Sequence, residues 1–406
     1  MKLRAKPAIS DLTMVILGGS LFGLGPISMA LYTPAMPMLV ETFGTDVAHV
    51  KLTLSAYFFG FAFAQLICGP LSDGFGRRPV LLIFLLTYVF ASCSAVFAPN
   101  IEFMIGARLL QGIGAAAGVS IVRAAVRDLY AGQASARILS AMAMILALGP
   151  AVSPTIGGVM LEVFGWEAIF LLMVALGAIL TIAAGWILPE TNRHRGLSRV
   201  RPAKIVANYF ALLSDIRFMR PAIPLGLVVG AFYSLATILP FAMIDAIGLT
   251  PLQFGYVMVT QSASYLAGSF TASRLLRRYG PFLLVPVGFS LVMAACVSMA
   301  GLPILLQPDP WTTMGPVALC SFGCALLMPA LMTSGLDPFP KFAGTASALI
   351  GFLQIGAGVL GSVGATLFAN PITALTVVVP TQLLIAIVFY SVTCYWVPAE
   401  DDRTEV

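Results

Sequence analysis

Two polar residues, Arg108 and Gln111, lie within an apolar run at 103–124. Residues three apart on a helix share one face, so Gln111 is the expected partner of Arg108. Arg108 lies about six residues inside the run, and a charged side chain within a bilayer is costly and usually functional. Such an arginine can hold an anionic or polar substrate, or lower the pKa of a neighbouring acid. The alternative is an arginine bonded to backbone carbonyls at a helix break.

A second set of charges lies in the short segment G-P-L-S-D-G-F-G-R-R-P at 69–79, between two apolar runs. Glycine permits the unusual backbone angles of a tight loop, and proline favours the start of the next helix. We expect the loop charges to pair with charges at the end of the 103–124 run and to hold one gate shut. The alternatives are static pairing or a basic turn that only sets topology. The predicted gating charge cluster is Asp73, Arg77, Arg78, Arg123, Arg127 and Asp128.

The composition requires a membrane protein. Of 406 residues, 59% are hydrophobic and 10% are charged, whereas soluble domains carry about 25% charged residues. The apolar runs have the length of membrane-spanning helices rather than strands. All six cysteines fall in apolar runs, where cysteine behaves as a small hydrophobic residue, and no disulfide framework, metal site or cofactor is expected.

Twelve candidate spans are predicted, in two halves of six. The domains are an N-terminal bundle at 1–188, a cytoplasmic linker at 189–220, a C-terminal bundle at 221–398 and an acidic tail at 399–406. Basic residues concentrate in the loops on the side of the N-terminus, so both termini are expected in the cytoplasm. The opposite loops carry one basic residue, Lys51. The predicted spans are 12–39, 50–71, 80–97, 103–124, 137–161, 168–188, 221–244, 252–273, 281–301, 312–333, 343–368 and 373–396.

Three motifs resemble the major facilitator superfamily. The 69–79 loop matches its G-x-L-x-D-x-x-G-R-R signature, and R-L-L-Q-G-I-G at 108–114 resembles its R-x-x-Q-G-x-G motif. The stretch G-P-A-V-S-P-T-I-G-G at 149–158 resembles the antiporter motif, which the family associates with exporters. Paired glycines there allow close helix packing, and the prolines bend the helix. A merely kinked packing helix is the alternative. The motif residues are Gly149, Pro150, Pro154, Gly157 and Gly158.

A motif in the first span narrows the resemblance to one branch of the superfamily. The stretch L-Y-T-P-A-M-P at 31–37 is similar to the L-Y-x-P-x-x-P motif of Bcr/CflA-type drug exporters. Pro34 and Pro37 should each bend the helix. Many of those relatives carry an aspartate four residues before the first proline, and this chain has Ala30 there. The resemblance implies an all-α integral membrane fold of twelve helices in two bundles.

The resemblance implies a secondary active exporter of small amphipathic drugs or metabolites, working by alternating access in a bacterial inner membrane. Proton antiport is the family's coupling mode, so H⁺ is the expected coupling ion. A monomer is expected, with no nucleic-acid partner. Polar and aromatic residues within the spans are candidates for substrate contact or coupling, with helix packing as the alternative for each. Besides Arg108 and Gln111 they are Tyr32, Tyr57, Gln65, Tyr233, Gln261, Tyr265 and Gln354.

A metabolite uniporter or importer without proton coupling is the second interpretation, and the antiporter motif argues against it. A membrane enzyme should show converging acids, histidines or metal ligands within its spans. The two histidines, His49 and His194, fall in loops. A receptor should add a signalling domain, and the longest polar segment has only about thirty residues. Transport is therefore the expected function.

Overall fold

The computed structural model describes residues 9–130, 132–192, 196, 202–279, 281–340 and 343–396. The predicted tail at 399–406 and residues 193–195 and 197–201 of the predicted linker lie outside them. All regular elements of the described residues are helical. In the first half these are α1 (Asp11–Tyr32), α2 (Met36–Thr42), α3 (Val47–Phe75), α4 (Arg77–Val96), α5 (Ile101–Leu129), α6 (Gly132–Phe164) and α7 (Trp166–Ile187). The remainder are α8 (Pro202–Leu213), α9 (Ile216–Pro240), α10 (Pro251–Tyr279), α11 (Pro281–Leu305), α12 (Pro310–Leu336), α13 (Ala343–Thr366) and α14 (Pro371–Trp396).

Eleven helices within the described residues are long and apolar enough to cross a membrane. The predicted spans agree with them to within a few residues. The helix α10 has 29 residues, yet it is not among the eleven. Polar residues such as Gln253, Gln261 and Ser264 lie along it, and polar side chains weaken the partition of a helix into lipid.

The helices form two bundles, each with its own apolar core. Tyr57 and Phe170 lie in the core of the N-terminal half, and Leu235 and Phe254 lie in that of the C-terminal half. Two helix pairs join the halves: α3 packs on α13, and α6 packs on α10. The helices α3 and α5 both terminate on one side of the molecule, which we call the basic end. The helix α3 begins on the other side, which we call the opposite end. Any movement of one half against the other must therefore take place across these two helix pairs.

The prolines of the first span break it, as predicted. A 3₁₀ turn at Thr33–Ala35 separates α1 from α2. Pro34 has no N–H to donate to the carbonyl of Ala30, which is therefore left without its helical partner. The Thr33 hydroxyl donates to this carbonyl at 2.9 Å. The helix thus changes form three residues after Ala30, and the freed Ala30 carbonyl keeps a hydrogen-bond donor.

The linker differs from the prediction of a polar connector. It contains the helix α8, and the seventh span begins at Ile216 rather than at 221. Asp215 caps that earlier start, since its carboxylate accepts the backbone N–H of Arg217 at 2.9 Å. Side-chain capping of this kind stabilises the first turn of a helix. The seventh span ends in a π-helical turn, Phe241–Ala246.

Candidate functional site

Arg108 lies between two tyrosine rings at the centre of the N-terminal half. Its side chain is fully buried. Its guanidinium carbon lies 4.3 Å from the centroid of the Tyr32 ring and 4.3 Å from that of Tyr57. The face of an aromatic ring attracts a cation, more strongly where water is excluded. The helices α1, α3 and α5 thus each supply one member of this sandwich.

Gln111 connects Arg108 to two further helices. Arg108 Nη1 donates to Gln111 Oε1, which confirms that the two side chains share one face of α5. Gln111 Nε2 then donates to Ser92 Oγ of α4 at 2.7 Å and lies 3.3 Å from Met173 Sδ of α7. The arginine is therefore held by a side-chain network rather than by backbone carbonyls.

Hydrogen bonds fix the tyrosines as well. The Tyr32 hydroxyl lies 2.6 Å from Thr53 Oγ1. The Tyr57 hydroxyl donates to the Gly25 carbonyl at 2.9 Å. A third buried tyrosine, Tyr88, lies 2.6 Å from Ser28 Oγ. Buried hydroxyl groups need such partners, and here the partners hold both rings against the guanidinium group.

The positive charge of Arg108 has no buried carboxylate to balance it. Within the described residues, every aspartate and glutamate is partly or fully exposed. Arg108 Nε and Nη2 are buried and have no hydrogen-bond partner in the described residues. Ala30, where the sequence resemblance implied an aspartate, is buried. The site is thus a preformed donor for an anion or another hydrogen-bond acceptor.

A small cavity of about 10 Å³ lies between the halves beside this site. Tyr57 lines it and also packs on Arg108. Tyr233 of α9 lines its far side and packs on Phe58, with the ring centroids 5.0 Å apart. The cavity is too small for a drug-sized ligand, which needs roughly 300 Å³ or more. Tyr57 is therefore the side chain that separates the buried arginine from the interface between the halves.

The other predicted polar residues do not join Arg108, whose ring and hydrogen-bond partners all belong to the N-terminal half. Gln65 lines a second cavity at the basic end. Tyr265 donates to Met328 Sδ at 3.0 Å. Gln261 is buried in α10, and Gln354 is partly buried in α13. The structure therefore assembles Arg108, Gln111, Tyr32 and Tyr57 into one site and leaves the remaining candidates apart from it.

The charge cluster centres on Arg77. Its guanidinium lies 2.5 Å from Asp73 and 3.3 Å from Asp128. The Glu190 carboxylate accepts the backbone N–H groups of Arg77 and Arg78 at 3.0 and 3.2 Å, where an anion is favoured by the helix dipole. These bonds lie in the N-terminal half and the start of the linker. Their predicted action as a gate stays a prediction.

One residue of the predicted cluster reaches across the halves. Arg123 Nη1 donates to Ser347 Oγ of α13 at 2.6 Å. Arg127 makes no ion pair within the described residues. The structure therefore separates the six predicted cluster residues into a paired group around Arg77 and a pair of arginines beside it.

The glycines of α6 lie where neighbouring backbones approach. A Cβ at Gly158 would lie 2.6 Å from the carbonyl oxygen of Pro251 in α10. A Cβ at Gly157 would overlap the carbonyl oxygen of Leu31 in α1. Pro150 and Pro154 lie inside the same helix. The close approach predicted from this motif is confirmed, and it includes the contact between the two halves.

Two residues that matter at the interface were not among the predicted site residues. Lys51 was expected in a loop, but its side chain is buried at 1% exposure, and Nζ donates to the Ala365 carbonyl at 2.9 Å. The loop prediction is wrong because α3 begins at Val47 and turns this residue toward α13. Tyr209 of α8 was also missed, and its hydroxyl donates to the Leu66 carbonyl at 2.9 Å. An apolar stripe along 202–213 was the available signal for α8.

Two packed helical bundles, a buried arginine at the centre of one of them and a cavity between them are the features of a membrane transporter rather than an enzyme. Residues 19–362 match the Major Facilitator Superfamily. The chain belongs to this superfamily.

Similar proteins support the narrower resemblance to drug exporters. The chain is 30% identical over 348 residues to a chloramphenicol resistance protein of Pseudomonas aeruginosa, covering 84% of this chain and 80% of that protein. It is 29% identical over 369 residues to multidrug resistance protein D of Escherichia coli strain K12, covering 88% and 89%. A bicyclomycin resistance protein homolog of Haemophilus influenzae is 25% identical over 359 residues, covering 88% and 90%. The resemblance to Bcr/CflA-type drug efflux proteins is confirmed.

Solved structures share the fold. The human organic anion transporter MFSD10 (TETRAN) superposes with a TM-score of 0.71 at 18% identity, covering 95% of this chain and 99% of that chain. A D-xylose–proton symporter gives 0.71 at 14% identity, covering 94% and 97%. The TM-scores establish a shared architecture. The sequence identities are too low to indicate a shared substrate.

Proposed function

We propose that the protein is a secondary active exporter of small amphipathic drugs or metabolites that works by alternating access. The observation that carries the proposal is the unequal packing of the two halves. At the opposite end they are in direct contact, and at the basic end a cavity of about 490 Å³ lies between them. In a transporter built of two repeats, one half rocks against the other and exposes a central site to one side of the membrane at a time. The relatives named for drug resistance support the direction of transport.

In this proposal all twelve long helices cross the bacterial inner membrane, including α10, and both termini are cytoplasmic. Arg77, Arg127, Arg217 and Arg277 all lie at or near the basic end. An excess of arginine and lysine favours the cytoplasmic side. The basic end is therefore the cytoplasmic end, and the protein acts as a monomer.

Arg108 is the proposed centre of substrate binding and coupling. A substrate that reached Tyr57 could displace its ring and offer an acceptor to the unpartnered nitrogen atoms of the guanidinium. The coupling ion in this proposal is the proton, as in the family. One observation favours a second candidate, an uncoupled metabolite uniporter: no buried carboxylate, the usual proton carrier within a membrane, lies in the described spans.

Everted membrane vesicles with an imposed pH gradient test both proposals. A fluorescent pH probe reports proton release while candidate drugs are added to wild type, Arg108→Ala and the control Arg274→Ala. Arg274 is exposed on α10 beside Phe270, so its loss removes the same charge without touching the site. We expect drug-dependent proton release in wild type and Arg274→Ala, and at least a tenfold loss in Arg108→Ala.

Proton release that persists in Arg108→Ala would contradict the assigned centre. Movement of labelled substrate without proton release would replace antiport by the uniporter. The absence of movement for every drug, with purified protein monodisperse, would contradict drug export.

A further inference from the structure

The cavity at the basic end has the size of a ligand site. Its volume of about 490 Å³ lies in the range of roughly 300–1,000 Å³ found for drug-sized pockets. The helices α3, α5, α8 and α13 and the first residue of α4 supply its walls, so both halves and the linker contribute. It is distinct from the small cavity beside Tyr57, with which it shares no lining residue.

The charges on this wall are unevenly matched. The carboxylates of Asp73 and Asp128 line the cavity, and both are bonded to Arg77. Arg123 and Arg127 line it too, and neither has a carboxylate partner within the described residues. Arg123 instead contacts Ser347 and lies 5.3 Å from the centroid of the Phe22 ring. The three arginines and two carboxylates leave this wall with a net charge of +1, and the positive excess lies at Arg123 and Arg127, where an anion would balance it.

Gln65 adds an unsatisfied acceptor deeper in the same cavity. Its side chain is 6% exposed, and its Oε1 is buried without a hydrogen-bond partner in the described residues. An unmet buried acceptor destabilises the protein, and a donor on a ligand would relieve that cost. A Cβ at Gly351 of α13 would lie 2.5 Å from Gln65 Nε2, so the side chain is wedged against the other half and cannot turn away freely.

The two recognition groups lie at different depths. Gln65 is ten residues from the end of α3 at Phe75, and Arg123 is six residues from the end of α5 at Leu129. At 1.5 Å per residue these are depths of about 15 and 9 Å. A ligand that meets both must carry its donor several ångströms deeper than its anion.

We propose that the cavity at the basic end is a loading site for an amphipathic organic anion that carries a hydrogen-bond donor at its far end. The anion lies at Arg123 and Arg127, and the donor reaches Gln65 Oε1. This inference rests on the proposed transport function and names the substrate class that enters the same path. A cation at this position would meet Arg123 and Arg127, so an anion is favoured there.

Three related azo dyes test the site. The probe 2-(4-hydroxyphenylazo)benzoic acid carries a carboxylate at one end and a hydroxyl at the other. The dye 4-phenylazophenol lacks the carboxylate, and 2-(phenylazo)benzoic acid lacks the hydroxyl. Binding is measured by equilibrium dialysis against full-length protein in nanodiscs, with empty nanodiscs subtracted. We expect wild type to bind the complete probe about tenfold more tightly than either partial probe.

Two variants and a control assign the contacts. Arg123→Gln should weaken the complete probe about tenfold and leave 4-phenylazophenol unchanged, and Arg123→Lys should restore part of the loss. Gln65→Leu should weaken the complete probe several-fold without weakening 2-(phenylazo)benzoic acid. Arg274→Gln, which removes an exposed charge on α10, should change none of these.

Equal binding of all three dyes by wild type would overturn the proposal. So would equal losses in Arg123→Gln and Arg274→Gln. Because dialysis needs no gradient, this result is independent of transport. Selective binding without vesicle transport would contradict the exporter and support the loading site. Transport without selective binding would support the exporter and contradict the loading site.

Discussion

The two ends of the interface between the halves are built differently. At the opposite end, Ser55 Oγ lies 2.6 Å from Ser362 Oγ, which lies 2.9 Å from Thr237 Oγ1. These are short, neutral contacts between closely packed helices. At the basic end the same pair, α3 and α13, borders a cavity lined by charged side chains. Apart from Lys51, the groups in contact at the opposite end are small and neutral, so they can separate and meet again without leaving a bare charge.

The first test of this difference prevents close packing at the opposite end. Gly158→Val inserts a branched side chain where a Cβ would already lie 2.6 Å from the Pro251 carbonyl. Overpacking costs about 1–3 kcal/mol, so transport should fall about tenfold or more while dye binding persists. Gly106→Val is the control, since nothing lies within 4 Å of a Cβ there. Equal transport by the two variants would refute the tight opposite end.

The second test acts on the basic end. Asp73→Asn removes one of the two carboxylates that hold Arg77, through a contact of 2.5 Å. We expect a threefold to tenfold loss of transport with the order of substrate preference unchanged, because the cluster acts on the gate. Vesicle transport of several drugs measures both quantities. A shift in selectivity would show that Asp73 contacts substrate and that the gate hypothesis is wrong.

The third test changes the one charge at the opposite end that the interface buries. Lys51 donates to Ala365 and lies 5.6 Å from the centroid of the Phe241 ring. A buried charge without a carboxylate partner carries a desolvation cost that an apolar residue of similar length does not carry. Lys51→Met should therefore raise the Tm by a few degrees and slow transport about twofold, since the closed opposite end opens less readily. A lower Tm would mean that the lysine bond stabilises closure.

The smallest expected effect concerns the linker helix. Pro70 cannot donate to the Leu66 carbonyl, and the Tyr209 hydroxyl takes that place. Tyr209→Phe should lower the local stability of α8 by about 1 kcal/mol, measured as faster hydrogen exchange over 202–213. Faster exchange throughout α3 as well would mean that the bond stabilises α3 rather than α8.

Burial raises the pKa of Tyr209 from 10.0 to about 12. A pKa raised on folding gives stability that is present below about pH 10 and is lost as the pH rises through about 12. The difference between wild type and Tyr209→Phe should therefore be constant from pH 6 to pH 9.

The sequence predicts much of the fold because bilayer helices follow simple length and composition rules. It also predicts the Arg108–Gln111 pair, which depends on spacing along one helix. It does not predict the Tyr32 and Tyr57 sandwich, since these residues come from other helices and only their packing brings them together. Lys51 was misplaced for the same reason: a charge near the end of a run looks solvated until the neighbouring half is present.

The modest hydropathy of α10 has a consequence for how the protein is made. A helix with arginines at one end and few strongly apolar turns partitions poorly into lipid by itself. In the finished protein α10 packs on α6 and α12, and the second of these is synthesised after it. If α10 crosses the bilayer as proposed, its insertion should therefore depend on α6 and α12, and insertion of the C-terminal half would be cooperative rather than a series of independent steps.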